Sequence, residues 1–286
     1  MTTICVIVGL IIAAFVVMEM KKGINLREAS ASPAGHILYV GGTGLNNYTS
    51  IQDAINDASD GDTIFVYSGT YYENVVVNKT INLIGESRNN TIIDGGGNGD
   101  VVYIVADWVN ITQFTIRNSG GSYDTGYSGI KGESSHINVS DCDICNNNIG
   151  VWFRYSSYNS LYNCDIYENA EGITLRLSVS HCEIINCNIF SNTGKGFRLG
   201  ATSNYHSIIS CIISDNGDDG IELCSGCDHE VVRNCNISNN TIGIQFEGSG
   251  HDSYIINCIF LNNGYGIHTT DWANFYNNYI YHNNFI

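Results

Sequence analysis

Asn163-Cys164-Asp165-Ile166-Tyr167-Glu168-Asn169-Ala170-Glu171-Gly172-Ile173-Thr174-Leu175 holds the unit from which this chain is built. The same order, Asn-Cys-x-Ile, then Asn, then Gly-Ile-x-Leu, then a polar stretch, returns throughout the C-terminal half. Its Cys falls at Cys142, Cys164, Cys187, Cys211, Cys235 and Cys258, spaced 22, 23, 24, 24 and 23 residues apart, with Asn278 in that slot one coil later. Its Gly falls at Gly150, Gly172, Gly196, Gly220, Gly243 and Gly266 with the same drift. Two markers keeping one period identify a repeat architecture. Inside each unit the apolar residues alternate, as in Gly196-Phe197-Arg198-Leu199 and Gly220-Ile221-Glu222-Leu223, and a period of two means strand. Strands of three to five residues bounded by Asn, Gly, Ser and Asp bury nothing alone, so the units must stack. Three strands per coil, each pairing with its counterpart one coil on, give an all-β fold, a right-handed parallel β-helix.

Two columns follow. The residues before the cysteines, Asp141, Asn163, Asn186, Ser210, Asn234, Asn257 and Asn277, suit a tight turn and a ladder of amides bonded along the stack. The cysteines point inward with the apolar residue two places on. Coils about 4.8 Å apart hold their Cβ atoms beyond disulfide range, so these are expected to be free thiols acting as small hydrophobes.

Residues 36–100 depart from the unit, as a terminal repeat closing a solenoid must. Thr49-Ser50-Ile51-Gln52 reads as a capping box opening a short helix with Ile51, Ala54, Ile55 and Ala58 on one face and Gly61 beyond its end. Strands are predicted at 63–67, 75–77, 81–84, 91–94 and 101–105. The segments Tyr48-Thr49-Ser50-Ile51-Gln52-Asp53-Ala54-Ile55, Gly61-Asp62-Thr63-Ile64, Gly69-Thr70-Tyr71-Tyr72-Glu73-Asn74-Val75 and Ile81-Asn82-Leu83-Ile84-Gly85 resemble the opening of pectin-lyase-like proteins. The later units, through Asn277-Asn278-Tyr279-Ile280-Tyr281-His282-Asn283-Asn284-Phe285-Ile286, resemble the NosD-type repeats of archaeal surface proteins. The resemblance implies carbohydrate binding or sugar hydrolysis, and for NosD a link to periplasmic copper-site maturation.

Ile4 to Met18 is an uncharged apolar run of signal-peptide length, followed by Lys21, Lys22 and a possible cleavage site at Ala29-Ser30-Ala31. Residues 1–20 are therefore expected to be a signal peptide or membrane anchor, 21–35 a linker, 36–100 the cap with the first coils, and 101–286 the repeats of an exported or cell-surface protein. Seven N-x-S/T sequons, beginning at Asn47, fit that setting. A formal charge of −16 from only 12 Lys plus Arg leaves no basic stripe for phosphates, which excludes nucleic acid. A polysaccharide or surface glycan is the expected partner.

Sugar-processing β-helices carry their substrate across one outer face, so the outward residues of the Gly-Ile-x-Leu strands are the candidates. They are Trp152, Thr174, Arg198, Glu222, Gln245 and His268, then Arg154, Arg176 and Glu247. Trp152 with Arg154, Arg176, Arg198 and Glu222 could hold an acidic sugar, or the row is an ordinary solvated face. Asp218 and Asp219 are the catalytic candidates: hydrolysis uses two carboxylates, and the pair resembles the Asp-Asp motif of polygalacturonases. Yet Asn192-Thr193-Gly194, one coil earlier, lacks that family's third carboxylate, and an Asp-rich turn is the competing reading. Gly69–Val75 is also similar to a pectin methylesterase segment, without that family's catalytic Gln and Asp. Cys224, Cys227 and His229 have metal-ligand character, and His136, His181, His206, His229 and His251 recur before their cysteines as an outer file that holds copper or zinc, or turn hydrogen bonds. Gly95–Asp100 is similar to a calcium repeat with its Asp misplaced. The resulting expectation is an exported, non-catalytic, glycan-binding or surface-layer β-helix. A hydrolase or lyase for acidic polysaccharide and a NosD-like handler of copper are the alternatives.

Overall fold

A chain that turns three corners every two dozen residues needs a residue at each corner that accepts left-handed backbone, and Asn does so at least cost after Gly. The composition of this chain follows from that need. The computed structural model describes residues 35–121, 126–248, 250–270 and 275–286. All but two of their strands form three parallel sheets of eleven, ten and nine members, each strand bonded to its counterpart one coil away, and Gly250–His251 pairs separately with Phe275–Tyr276. Ser160–Tyr162, Asp165–Tyr167 and Glu171–Leu175, for example, pair in register with Glu183–Ile185, Asn188–Phe190 and Phe197–Leu199. These are the strands of successive coils of a parallel β-helix.

Left-handed residues file along all three corners. Between the first and second strands stand Asp141, Asn163, Asn186, Ser210, Asn234 and Asn257, with φ of 52 to 56°, the turn column expected from sequence. The last coil differs from expectation. Ile280 pairs with Ile255 and Phe285 with Phe260, so His282 takes the turn slot and Asn283, not Asn278, the slot of the cysteines. Asn277-Asn278-Tyr279-Ile280 imitates the unit, but Asn278 Oδ1 instead accepts the Ser253 amide at 3.0 Å.

The main amide ladder also lies elsewhere than expected. Turn-column side chains bond only in places, such as Asn163 Nδ2 to Asp141 Oδ1 at 2.6 Å. The continuous file runs inside the next corner through Asn147, Asn169, Asn192, Asn216, Asn240 and Asn263, each Nδ2 donating to the next Oδ1 at 3.0–3.1 Å. Each of these oxygens also accepts the preceding Asn backbone N–H, at 3.0–3.2 Å. Members 147 to 240 are 1–5% exposed. Inside a dry corner, an amide that donates and accepts along the axis satisfies backbone groups that no strand can reach.

The core is a stack of like residues: Ile144, Ile166, Ile189, Ile213 and Ile237 are sealed from solvent, as are Val151, Ile173, Phe197, Ile221 and Ile244. At its N-terminal end it is closed by α1 (Ile51–Asp57), which buries Ile51, Ala54 and Ile55. The N-cap is Ser50, one residue later than the capping box suggests, its hydroxyl accepting the Asp53 amide at 3.2 Å. The helix start is held from the neighbouring coil, where the Glu73 carboxylate accepts the amides of Ile51 and Gln52 at 2.9 Å and the Ser50 hydroxyl at 3.0 Å. The Gly69–Val75 segment that resembles an esterase motif is therefore part of the cap. The three sheets run through residue 100 without a break. The expected export segment 1–20 and residues 21–34 of the linker lie outside the described residues. Among the described residues no helix is long and apolar enough to cross a membrane.

Candidate functional site

The nine-stranded sheet presents its outer face as a single register. Tyr103, Lys131, Trp152, Thr174, Arg198, Glu222, Gln245 and His268 follow one another, one per coil. The sequence placed the later six correctly. It did not show that Thr174, Glu222 and Gln245 are only 1–5% exposed, with Lys195 and Arg198 both bonded to Glu222. At its centre this is therefore not an ordinary solvated face.

That centre is Lys195, on the turn entering its strand. Its ammonium meets Asp218 and Asp219 at 2.9 Å and Glu222 at 2.7 Å. Arg198 lies 3.5 Å from both Glu171 and Glu222, and the Thr174 hydroxyl donates to Glu171 at 2.9 Å. Burial opposes the Lys195 charge, but its bonds to Glu222, Asp218 and Asp219 hold its pKa above the usual range. Burial likewise pushes the Asp219 carboxyl up, and Lys195 only partly offsets it. For Glu222 the balance reverses: burial is outweighed by Lys195, Cys224 and Arg198, and its pKa falls. Two carboxyl groups sharing one ammonium thus have opposite proton preferences. Asp218, with half its side chain exposed, and Asp219, nearly sealed, lie together as the sequence suggested. Glu222 joins them, and Lys195, at the heart of the cluster, was missed. Its only signal was a lone Lys in the slot where adjoining coils carry Glu171 and Asp219.

Toward the N-terminus the face becomes aromatic and basic. Lys131 and Arg154 stand 5.1 and 5.0 Å from the Trp152 ring centre. Lys131 pairs with Asp100 at 3.3 Å, and Arg154 pairs with Glu133. Arg176 is exposed and makes no ion pair among the described residues. Of the nine described Lys and Arg, five (Lys131, Arg154, Arg176, Lys195 and Arg198) occupy this one face or its rim. In so acidic a chain that is a concentration.

Cys224, Cys227 and His229 are not brought together. The Cys224 thiol donates to Glu222 at 3.0 Å, while Cys227 turns inward to the carbonyls of Leu199 and Gly200 at 3.5 and 3.3 Å. His229 stacks on Tyr205 with centroids 4.5 Å apart. The donor set that does converge is Glu222, Cys224 and Glu247, their ligand atoms within 4.8 Å of one another. Burial and the Glu222 charge push the Cys224 thiol up to about 12 and raise Glu247 as well. The calcium-like segment is also occupied by its own structure: Asp94 bonds Arg117 and Asn118 at 2.8 Å, and Asp100 bonds Ser128 and Lys131.

The histidine file resolves into a ridge of rings along the third corner. Trp108, His136, Tyr158, His181, Tyr205 and His229 stack with centroids 3.7 to 5.3 Å apart, and all hold φ near 60°. His251 and Tyr276 continue it. Stacking helps offset the left-handed backbone these bulky residues adopt. The histidines were visible in sequence as metal ligands or turn residues, and the turn reading fits their place at the corner, but the Tyr and Trp that alternate with them as a stack were not evident. His206 is not a member. It is sealed in the interior, its Nδ1 accepting the Cys182 amide at 3.1 Å, and burial pushes its pKa down to about 3.

The family model for the right handed beta helix region matches residues 75–208 and 201–285, and the chain belongs to that family. No curated protein matches it. Among solved structures it is similar to the pectate lyase Pel9A, with a TM-score of 0.67 at 16% identity over 84% of this chain and 78% of that one. Alginate lyase from Paenibacillus sp. str. FPU-7 gives 0.59 at 17% identity, over 87% and 99%. The ORF18 protein of Geobacillus virus E2 gives 0.60 at 17%, covering 79% of this chain, which spans 58% of that chain's length. At such identities the likeness is one of fold.

Proposed function

We propose that the protein binds an acidic polysaccharide along the outer face of the nine-stranded sheet, from Lys131 to His268, at the cell surface. The observation that carries this reading is the exposed Arg176, which makes no ion pair among the described residues, on the same face as Lys131, Arg154 and the half-buried Trp152, whereas Lys195 and Arg198 are already held by neighbouring carboxylates. Guanidinium and ammonium groups recognise uronate carboxylates by charge-assisted bonds, and an indole packs on sugar rings. The structural neighbours named for pectate and alginate are consistent with that substrate class. The apolar run from Ile4 to Met18 supports export. NosD-like copper handling at Cys224, Cys227 and His229 has no assembled site to support it.

A second reading, cleavage of the bound chain, rests on the opposed proton preferences of Asp219 and Glu222, the disposition of an acid and a base. Titration calorimetry with polygalacturonate and alginate, on wild type and on Arg154→Ala/Arg176→Ala, tests the first. Binding lost in the double variant supports it, and equal binding refutes it. New reducing ends or unsaturated products, abolished by Asp219→Asn, establish the second. Binding without turnover on any polysaccharide removes it.

A further inference from the structure

Cys142, Cys164, Cys187, Cys211, Cys235 and Cys258 form one interior file, each 0–2% exposed and in the same slot of successive coils. All are free, and the file is in strict register: the carbonyl of each Cys accepts the amide of the residue that follows the next Cys in the file, at 2.9–3.0 Å. Coils repeat at about 4.8 Å. A metal bonded on opposite sides by two thiolates at about 2.3 Å, the length seen for sulfur on zinc, holds its sulfurs about 4.6 Å apart. The rise of the solenoid therefore matches the span of a linear S–metal–S unit.

We infer that this file is a binding site for a soft divalent d10 cation of linear preference, the class to which mercury(II) belongs, taken up between successive thiols. Charge selects the valence. Two thiols lose their S–H bonds, two metal–sulfur bonds form, two protons leave for solvent, and no electron moves. The neutral product suits a dry interior, whereas a monovalent ion would leave a buried negative charge. Zinc is excluded by needing four ligands where the file offers two. Deprotonation also orphans no carbonyl. Cys164 donates to Tyr162 O at 3.4 Å, Cys211 to Ile209 O at 3.4 Å and Cys235 to Arg233 O at 3.3 Å. Those oxygens keep the backbone amides of Asp141, Asn186 and Ser210 at 2.9–3.1 Å.

Six thiols taken in adjacent pairs make three sites. The test titrates the reduced full-length protein with mercuric chloride under nitrogen, reading thiolate-to-metal absorbance, released protons and circular dichroism. Cys187→Val/Cys211→Val leaves two adjacent pairs and is expected to take up one equivalent fewer than wild type. Cys164→Val/Cys235→Val also removes two thiols but leaves one adjacent pair, and is expected to lose two equivalents. Alanine replaces valine wherever circular dichroism shows a valine variant misfolded. Equal losses in the two variants, collapse of the native spectrum during loading, or equivalent uptake of zinc would each overturn the inference.

Discussion

Asn192→Ala tests the buried amide ladder most directly. Asn192 is 1% exposed, and its Oδ1 accepts both the backbone and side-chain N–H of Asn169 at 3.0 Å. Its Nδ2 donates to Ile166 O at 3.2 Å and Asn216 Oδ1 at 3.0 Å. Truncation orphans two buried donors, at roughly 1–3 kcal/mol each, and opens a small cavity, for a total of about 4 kcal/mol. Asn216 Oδ1 keeps the Asn192 amide at 3.2 Å, which is why the sum goes no higher. The assay is urea unfolding followed by circular dichroism at pH 7. Asn192→Asp refines it. Its carboxyl can accept from Asn169 but can donate only when protonated, so its native pKa lies above the unfolded value of about 3.9. That stabilising donation is present below pH 3.9 and lost as pH rises through the native pKa. The aspartate variant should therefore approach wild type in acid and the alanine variant at pH 8. An Asn192→Ala loss under about 1 kcal/mol, or an aspartate deficit independent of pH, refutes this account.

Glu73→Ala removes the carboxylate that holds the first turn of α1 and should cost about 1–2 kcal/mol, a fall in Tm of roughly 3–6 °C, with Glu73→Gln losing less. Glu230 is 2% exposed, and burial raises its pKa despite the His206 amide it accepts. Wild-type stability from this group is present below the unfolded pKa and lost as pH rises through the raised one. Melts of Glu230→Gln should thus gain on wild type as pH rises above the unfolded value of about 4.3, and parallel curves would contradict that. Lys195→Met strands Asp219 and Glu222 and should cost about 3–5 kcal/mol at pH 7. The deficit, read from urea midpoints, should shrink toward pH 4 as the carboxyls protonate.

The coil, its strands and its inward cysteines were legible because each is written six times over, and repetition turns a weak local signal into a strong one. What failed to read was whatever depends on the third dimension of the stack. Asn163 and Asn169 are alike in sequence, and only the shape of their corners decides which becomes the sealed ladder and which the half-exposed turn. Asn278 imitates the unit better than Asn283, yet strand register gives the slot to Asn283. Of the site, Arg198 and Glu222 could be placed from the period of two, and Asp218 and Asp219 from their pairing as adjacent carboxylates. Lys195 could not, since a side chain reaching across to the next coil leaves no mark in its own.

Because every ladder bond joins a residue to its equivalent one coil on, the length of the molecule is separable from its pattern. Adding or removing a whole coil of about two dozen residues preserves each column, whereas a single inserted residue within a strand turns the interior outward. The spacing drift from 22 to 24 shows where the chain absorbs change, in the polar stretches between strands. A gene of this form can lengthen by copying one segment of itself, and each copy would extend the face that carries Lys131 to His268 by one rung.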